Sequence, residues 1–402
     1  MLLLVLALAS VLAGRAQDCD SLRGIFRVYG IPSGMADTPA PAGYKPVYIS
    51  HYGRHGSRFH GDPALVLGPR DSLLAARGRG TLTALGEAML SRLEAVAAAS
   101  DGLWYELTAI GEREHREIAG RMVRRFAPVF RSGKRIDAFS SIRTRCLVSM
   151  GCAASEISAR VPGIRIYLHT GKKYLPLLKN ETLLPEARRW FNPRIAALTD
   201  SLGDWTACLR RLYTDAPGEG RAATALAINF WNSWAEAPCI DGEGFEILDW
   251  LSIDELRALG RSADMNLPLK CLRSDRFGQA RVESQRALLT DMTERADDAL
   301  SRGDIAATLR YGHDANLVGL AGLMNLCGFE GVYSLDRFPD PRWRSADRIP
   351  MASNLQLVFY RKPSSGSVLV KFLYNEREVL LSGLAAVTGP YYDWAEVKTY
   401  WK

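Results

Sequence analysis

None of the seven cysteines (Cys19, Cys146, Cys152, Cys208, Cys239, Cys271 and Cys327) stands in a CxxC pair or at zinc-finger spacing. The formal charge of +7 is spread over interspersed Lys, Arg, Asp and Glu, with no basic block of the kind that forms a nucleic-acid arm. There is no fixed-period repeat and no low-complexity tract. Past the first residues no apolar run is long enough to anchor the chain in a bilayer. These lacks set aside a zinc finger, a nucleic-acid binder, a solenoid and an integral membrane protein.

What is present suits a globular protein. Of 402 residues, 47% are apolar and 24% charged, enough for a real core, and the length exceeds one ordinary domain. The apolar run Leu2 to Ala13 is too short to span a membrane and is followed by Gly14-Arg15-Ala16, a small-x-small pattern suited to signal peptidase. Residues 1–16 are therefore expected to be a signal peptide, and the protein to be exported to the periplasm or the extracellular space. In an oxidising compartment Cys208 with Cys239 or Cys271 are candidate disulfides, and an odd cysteine count leaves one over.

The pattern along the chain predicts an α/β fold. "YKPVYIS" reads as a strand; "TALGEAMLSRLEAVAAA" and "LTAIGEREHREIAGRMVRRF" have helical spacing, the second with Thr108 as its cap. "RIDAFSS" is a short strand leading into the helical "RTRCLVSMGCAASEIS". From about Pro176 to Ala299 helical patterns dominate, and Trp190, Trp205, Trp231, Trp234 and Trp250 are expected to pack those helices together. The strand–helix rhythm returns at "DIAATLRYGHDANLVGLAGLMNL", and "NLQLVFYRKPSSGSVLVKFLYNERE" reads as a hairpin near a sheet edge. The expected organisation is a core of residues 17–160 and 300–402, with a central sheet flanked by helices, and an inserted, mostly helical cap domain of residues 161–299.

Three segments carry chemistry, each at a strand-to-helix junction. "VYISHYGRHGSRF" holds His55 between Arg54 and Arg58. Close cations repel and are costly to desolvate without an anion, so something negative belongs there. For a phosphoryl group the arginine forks supply paired donors, the neighbouring charge keeps His55 neutral and nucleophilic, and Gly56 lets the backbone approach. Read alone, this is also the pattern of a basic surface loop. "YGHDANL" places His313 and Asp314 where a strand gives way to a helix; Asp314 can protonate a leaving alkoxide and His313 add charge to the clamp. In isolation, an Asp capping the helix explains that pair as well. "SSIRTRCLVSM" offers Arg143 and Arg145 as a further phosphate ligand. Three such junctions together suggest one shared site.

The set "RHGSR" with a late "GHDANL" resembles the histidine acid phosphatase branch of the histidine phosphatase superfamily, which contains acid phosphatases, phytases and multiple inositol polyphosphate phosphatases. "LTAIGEREHREIAGRMVRRF" is similar to the family's L-T-x-x-G-x-x-[QE] helix, and "SSIRTRCLVSMGC" matches its S-[ST]-x-x-x-R-x-x-x-S stretch when the ligand arginine is Arg145. "PMASNLQLVFYR" resembles the strand after the donor motif. The resemblance implies His55 as the nucleophile, forming a phosphohistidine, and Asp314 as proton donor. It implies Arg54, Arg58, Arg145 and His313 as phosphate ligands, with no metal and no cofactor. Asn316, in the same "GHDANL" segment, is a further candidate. The chain departs from the family's R-H-G-x-R-x-P in having His60 where proline is usual, so His60 is another candidate to line the site. It carries His-Asp, as phytases and acid phosphatases do, where the inositol polyphosphate branch often has His-Ala-Glu. The arginine followed by cysteine and the Asn354 strand lean back towards that branch.

The expected function is an exported phosphatase acting on small phosphorylated molecules, favouring inositol polyphosphates such as phytate, with no nucleic-acid partner. Lys172, Lys173 and Lys179, with His169, are candidates to hold further phosphates, although such a run is also an ordinary solvated loop. Alternatives are a broad-specificity acid phosphatase, a phosphoglycerate-mutase-like enzyme, a metal-dependent hydrolase using His51, His55 and His60, and an anion-binding protein without catalysis.

Overall fold

The computed structural model describes residues 19–35, 37–131, 133–215, 217–242, 244–338, 340 and 342–402. The expected signal peptide lies outside the described residues. Among them, no helix is long and apolar enough to cross a membrane.

The architecture is α/β: an eight-stranded mixed sheet flanked by helices. Its strands are β1 (Lys45–Arg54), β2 (Arg135–Ser140), β3 (Arg165–Thr170), β4 (Ile305–Gly312), β5 (Asn354–Arg361), β6 (Val368–Tyr374), β7 (Arg377–Val379) and β8 (Tyr391–Asp393). They lie in the order β8-β6-β5-β1-β4-β2-β3, with β7 alongside β6. β1, β4, β2 and β3 are mutually parallel, and β5, β6 and β8 continue the sheet antiparallel. β1 and β4 are central and buried along almost their whole length, which explains why both read as apolar runs without alternation.

Between β1 and β2 lie α1 (Ala64–Arg79), α2 (Ala84–Ser100) and α3 (Ala109–Arg125). Thr83 and Thr108 cap α2 and α3, their hydroxyls accepting the amides of Gly86 and Gly111. α1 escapes the sequence reading because Gly68-Pro69 sits inside it and reads as a break. α4 (Thr144–Arg160) follows β2 and packs against α3.

Between β3 and β4 run α5 (Leu184–Asp200), α6 (Arg221–Glu236), α7 (Ile253–Asp264), α8 (Asn266–Cys271) and α9 (Arg286–Arg302). Ser252 and Glu255 form a capping box on α7. Trp205, Trp231, Trp234 and Trp250 are buried in the cluster that joins α6 and α7 to α1 and α2. Trp190 is instead half-buried between the guanidinium groups of Arg194 and Arg276, 3.7 and 4.3 Å from its ring centre. After β4 comes α10 (Asp314–Leu323), and α11 (Trp394–Tyr400) ends the chain.

The disulfides expected among Cys208, Cys239 and Cys271 do not form. Cys208 Sγ donates to Glu255 Oε1 (2.9 Å) and Cys239 Sγ to the Phe26 carbonyl (3.1 Å), both within one hydrophobic cluster, while Cys271 is buried in another.

Candidate active site

Sheet register brings the three junctions together. Arg54 pairs with Gly312 across β1 and β4, and Ser140 with Tyr311 across β2 and β4, so the C-terminal ends of three adjacent parallel strands are level. In an open α/β sheet this edge is where ligands bind. β1 runs four residues beyond the expected strand and takes in His51 to Arg54; His55 is the first residue past it. The His55 amide donates to the Gly312 carbonyl (3.0 Å) and the Ser141 amide to the Tyr311 carbonyl (3.1 Å), tying the three ends together.

His55 is 3% exposed. Its Nδ1 lies 2.9 Å from the Gly56 carbonyl, which only an N–H can satisfy, so Nδ1 carries the proton and Nε2 keeps its lone pair. Burial holds its pKa well below the ordinary imidazole value, with Arg145, Arg54, His313 and Arg58 adding to the effect. His313 stands edge-on to it, ring centres 5.7 Å apart, with Nε2 3.2 Å from Ser141 Oγ. Burial, with Arg145 beside it, also depresses His313, so in the free site it is a neutral hydrogen-bonding group rather than the added charge expected from sequence.

Arg54 is fully buried, its Nη1 donating to the carbonyls of Ile25 (2.7 Å) and Ile349 (2.9 Å). Its Nη2 lies 3.4 Å from Asp314 Oδ2, while its Nε has no partner. Arg145 is half-buried and its Nε is likewise buried without a partner. Two orphaned guanidinium N–H donors facing a cluster of cations are what an anion would satisfy. Arg58 pairs with the buried Glu236 at 2.5 Å and donates to the Phe59 carbonyl. Asp314 opens α10, its Oδ1 accepting the Ala315 amide (2.7 Å). Burial pushes its carboxyl up, but Arg54, His313, that amide and Arg58 outweigh it and hold the group below the usual carboxylate range.

The other candidates make no direct contact with His55, although Arg143 and Lys179 act on His313 through their charge. Arg143 is exposed at the head of α4. Lys172 and Lys173 are exposed, the latter over the Tyr174 ring. Lys179 pairs with Glu181 (2.9 Å) but still acts on His313. His169 stacks on Phe139, and Asn316 donates to Gln285 Oε1 (3.0 Å). His60 turns to the Ser233 carbonyl on α6 (3.2 Å), and His51 packs on Tyr311 inside β1. Among the described residues no three His, Cys, Asp or Glu are grouped so as to hold a metal ion.

Several residues that shape the loop were not singled out from sequence. Glu114 on α3 accepts the Ser57 amide (2.6 Å), the Ser57 hydroxyl (2.9 Å) and the Tyr29 amide (2.8 Å). Ser149 on α4 accepts the Gly56 amide (3.2 Å). Glu114 and Ser149 occupy the last positions of the "LTAIGERE" and "SSIRTRCLVS" patterns, so their positions within those motifs were the available signal. For Glu236 there was none.

No family model matches the chain. It is similar to multiple inositol polyphosphate phosphatase 1 of Gallus gallus, 25% identical over 403 aligned positions that span 90% of this chain and 82% of the relative. In fold it is similar to the multiple inositol polyphosphate phosphatase of Bifidobacterium longum (TM-score 0.77, 18% identity, 95% of this chain and 97% of that one). It is also similar in fold to the phytase of D. castellii (TM-score 0.73, 12% identity, 96% and 84%).

Proposed function

We propose that this chain, a member of the histidine acid phosphatase family, hydrolyses phosphomonoesters, inositol polyphosphates such as phytate among them, through a phosphohistidine at His55. The observation that carries the reading is the single protonated nitrogen of His55, fixed by Gly56, with Nε2 left free near Arg54 and Arg145, whose buried Nε donors lack partners. The name of the Gallus gallus relative points to the same substrate class.

In the proposed reaction a phosphoryl group binds between Arg54, Arg58, Arg145 and His313. His55 Nε2 attacks phosphorus, the P–O bond to the alcohol breaks, and the leaving oxygen takes the proton of Asp314. Water then attacks the phosphohistidine, giving its proton to the Asp314 carboxylate as the P–N bond breaks. In the free site Asp314 is ionised and faces Arg54. A bound phosphate draws the arginines to itself and adds negative charge beside Asp314, which raises its pKa towards that of a donor. Acid pH favours the protonated Asp314, and burial keeps His55 neutral in spite of it. Export to the periplasm or the extracellular space belongs to the same proposal.

The test is phosphate release from phytate and from 4-nitrophenyl phosphate near pH 5 with chelator present, for wild type and His55→Ala. Release by the wild type alone supports the reading. Release that survives His55→Ala, or that chelator abolishes, overturns it and favours a metal-dependent hydrolase.

A further inference from the structure

The last residue of α6 is an acid buried where local rules disfavour one. Glu236 is 0% exposed, and it closes a helix whose own C-terminal partial charge opposes a carboxylate. A buried carboxylate is costly unless a cation pairs with it, and here that cation is Arg58, its Nη1 2.5 Å from Oε1. Beyond this ion pair the carboxylate oxygens accept no hydrogen bond among the described residues. Broken local rules of this kind concentrate at functional sites. Arg58 is one of the proposed phosphate ligands, so the inference rests on the function proposed above.

The neighbourhood is built around that pair. His60, which stands where the resembling family usually carries proline, donates from Nε2 to the Ser233 carbonyl (3.2 Å), one turn before Glu236. Ser233 Oγ donates to the Leu65 carbonyl (2.6 Å), so the last turn of α6 is pinned to the segment that follows Arg58. The guanidinium also lies against Gly61, where a Cβ would sit 2.5 Å from Nη1 and 2.7 Å from Cζ. Arg58 Nη1 makes a second bond, to the Phe59 carbonyl (3.0 Å). Both bonds use one nitrogen, which leaves Nε and Nη2 for a ligand. Arg54 is held in the same way, its Nη1 fixed by two carbonyls. From this position the charge of Arg58 still reaches His55 and Asp314.

We propose that Glu236 is a positioning residue for Arg58: it holds one end of the guanidinium before substrate arrives and aims the other at the phosphoryl group. An unanchored arginine loses rotamer freedom when it binds, whereas an anchored one has given it up already. Glu236 also offsets one positive charge in a cluster where Arg58 repels both Arg54 and Arg145. It touches no reacting atom and acts through Arg58 alone.

The experiment is a double-mutant cycle on kcat/KM with 4-nitrophenyl phosphate. Glu236→Gln removes the charge and keeps the volume, and it is measured alone and in an Arg58→Gln background. A residue that acts through Arg58 loses its effect once Arg58 is gone. The expected result is a fall of about tenfold with Arg58 present, the loss of one charge-assisted contact, and a change of less than about twofold without it. Gly61→Ala displaces the guanidinium by a second route. Gly61 has no positive φ and only the end of a flexible side chain stands in the way, so the fold is kept and the same pattern is expected. Equal falls in both backgrounds, which is what damaged packing produces, would overturn the inference, as would rates within about twofold of wild type. A rise would also overturn it, since Glu236 would then be restraining Arg58 instead of aiming it. If Glu236→Gln does not fold, Gly61→Ala carries the comparison. A wild type that releases no phosphate would sink the proposed function instead; the cycle is then read on the affinity for inorganic phosphate by calorimetry, where the same coupled loss is expected and additive losses would overturn the inference.

Discussion

Gly56 and Gly111 lie in backbone contact: a Cβ on Gly56 would sit 2.6 Å from the Gly111 carbonyl oxygen, and one on Gly111 would strike the Ser57 carbonyl. The loop that carries His55 is thus seated directly on the first turn of α3, and it is held there by Glu114 and by Thr108, which donates to the Ser57 carbonyl. Gly111→Ala is expected to displace this loop while leaving the helix able to form, since alanine favours helix. A shift of about 1 Å costs about a hundredfold in kcat. Full activity of a folded Gly111→Ala would show that the contact does not position His55.

Of the two arginines that open α4, Arg145 is half-buried and is the largest electrostatic influence on His55, whereas Arg143 is exposed and not among its causes. Arg145→Ala is expected to lower kcat by about 10²–10³, the usual loss for one transition-state donor, and Arg143→Ala by less than about tenfold. Steady-state rates with one aryl phosphate are enough to check this. The reverse ranking would mean that the motif register is wrong.

Much of this was legible in the sequence, and the reasons are local. β1 and β4 were readable because strands buried on both faces are largely apolar without strict alternation, and α3 because Thr108 caps an amphipathic pattern. β3 was not recognised: as an edge strand its "RIYLHT" is mostly exposed and mixes charge with apolar residues, so it has neither signature. His55, His313 and Asp314 stood out because chemistry restricts the residue types at strand ends. The pairing of Arg58 with Glu236, 178 residues away, depends by contrast on tertiary packing alone.

The depressed pKa of His55 has a kinetic consequence. A solvent-exposed imidazole would lose its nucleophilic form as pH falls through about 6.5. With its pKa well below that, His55 stays neutral, and kcat/KM is expected to show no acid-side inflection near 6.5. A pH–rate profile from 3.5 to 8 checks this. A fall with apparent pKa near 6.5 would mean that His55 is not in the environment described.

Stability should move the other way. His51 and His115 are held at about 3, chiefly by burial, and His55, His60 and His313 are also depressed. The unfolded chain protonates these groups near 6.5, so the stability they contribute is present above that pH and is lost as pH falls towards 3. For His51 and His115 this amounts to about 1.4 kcal/mol per pH unit in that window. Glu114, raised to about 7, and Asp264, raised to about 6, both mainly by burial, oppose this: their contribution is full below their unfolded values and is lost as pH rises through 7 and 6. Five groups outweigh two, so Tm by scanning calorimetry is expected to fall between pH 6.5 and 4.5. A Tm that rises over that interval would contradict the assignment.

The central claim is that the phosphoryl group passes through His55. The direct measurement is a rapid quench of the wild type turning over labelled substrate, made in alkali because phosphohistidine is acid-labile, with the label located by peptide mass spectrometry. The account predicts phosphate on His55 within one turnover, and neither label nor phosphate release in His55→Ala. Phosphate release without any covalent label, a label on another residue, or release that survives His55→Ala would contradict it.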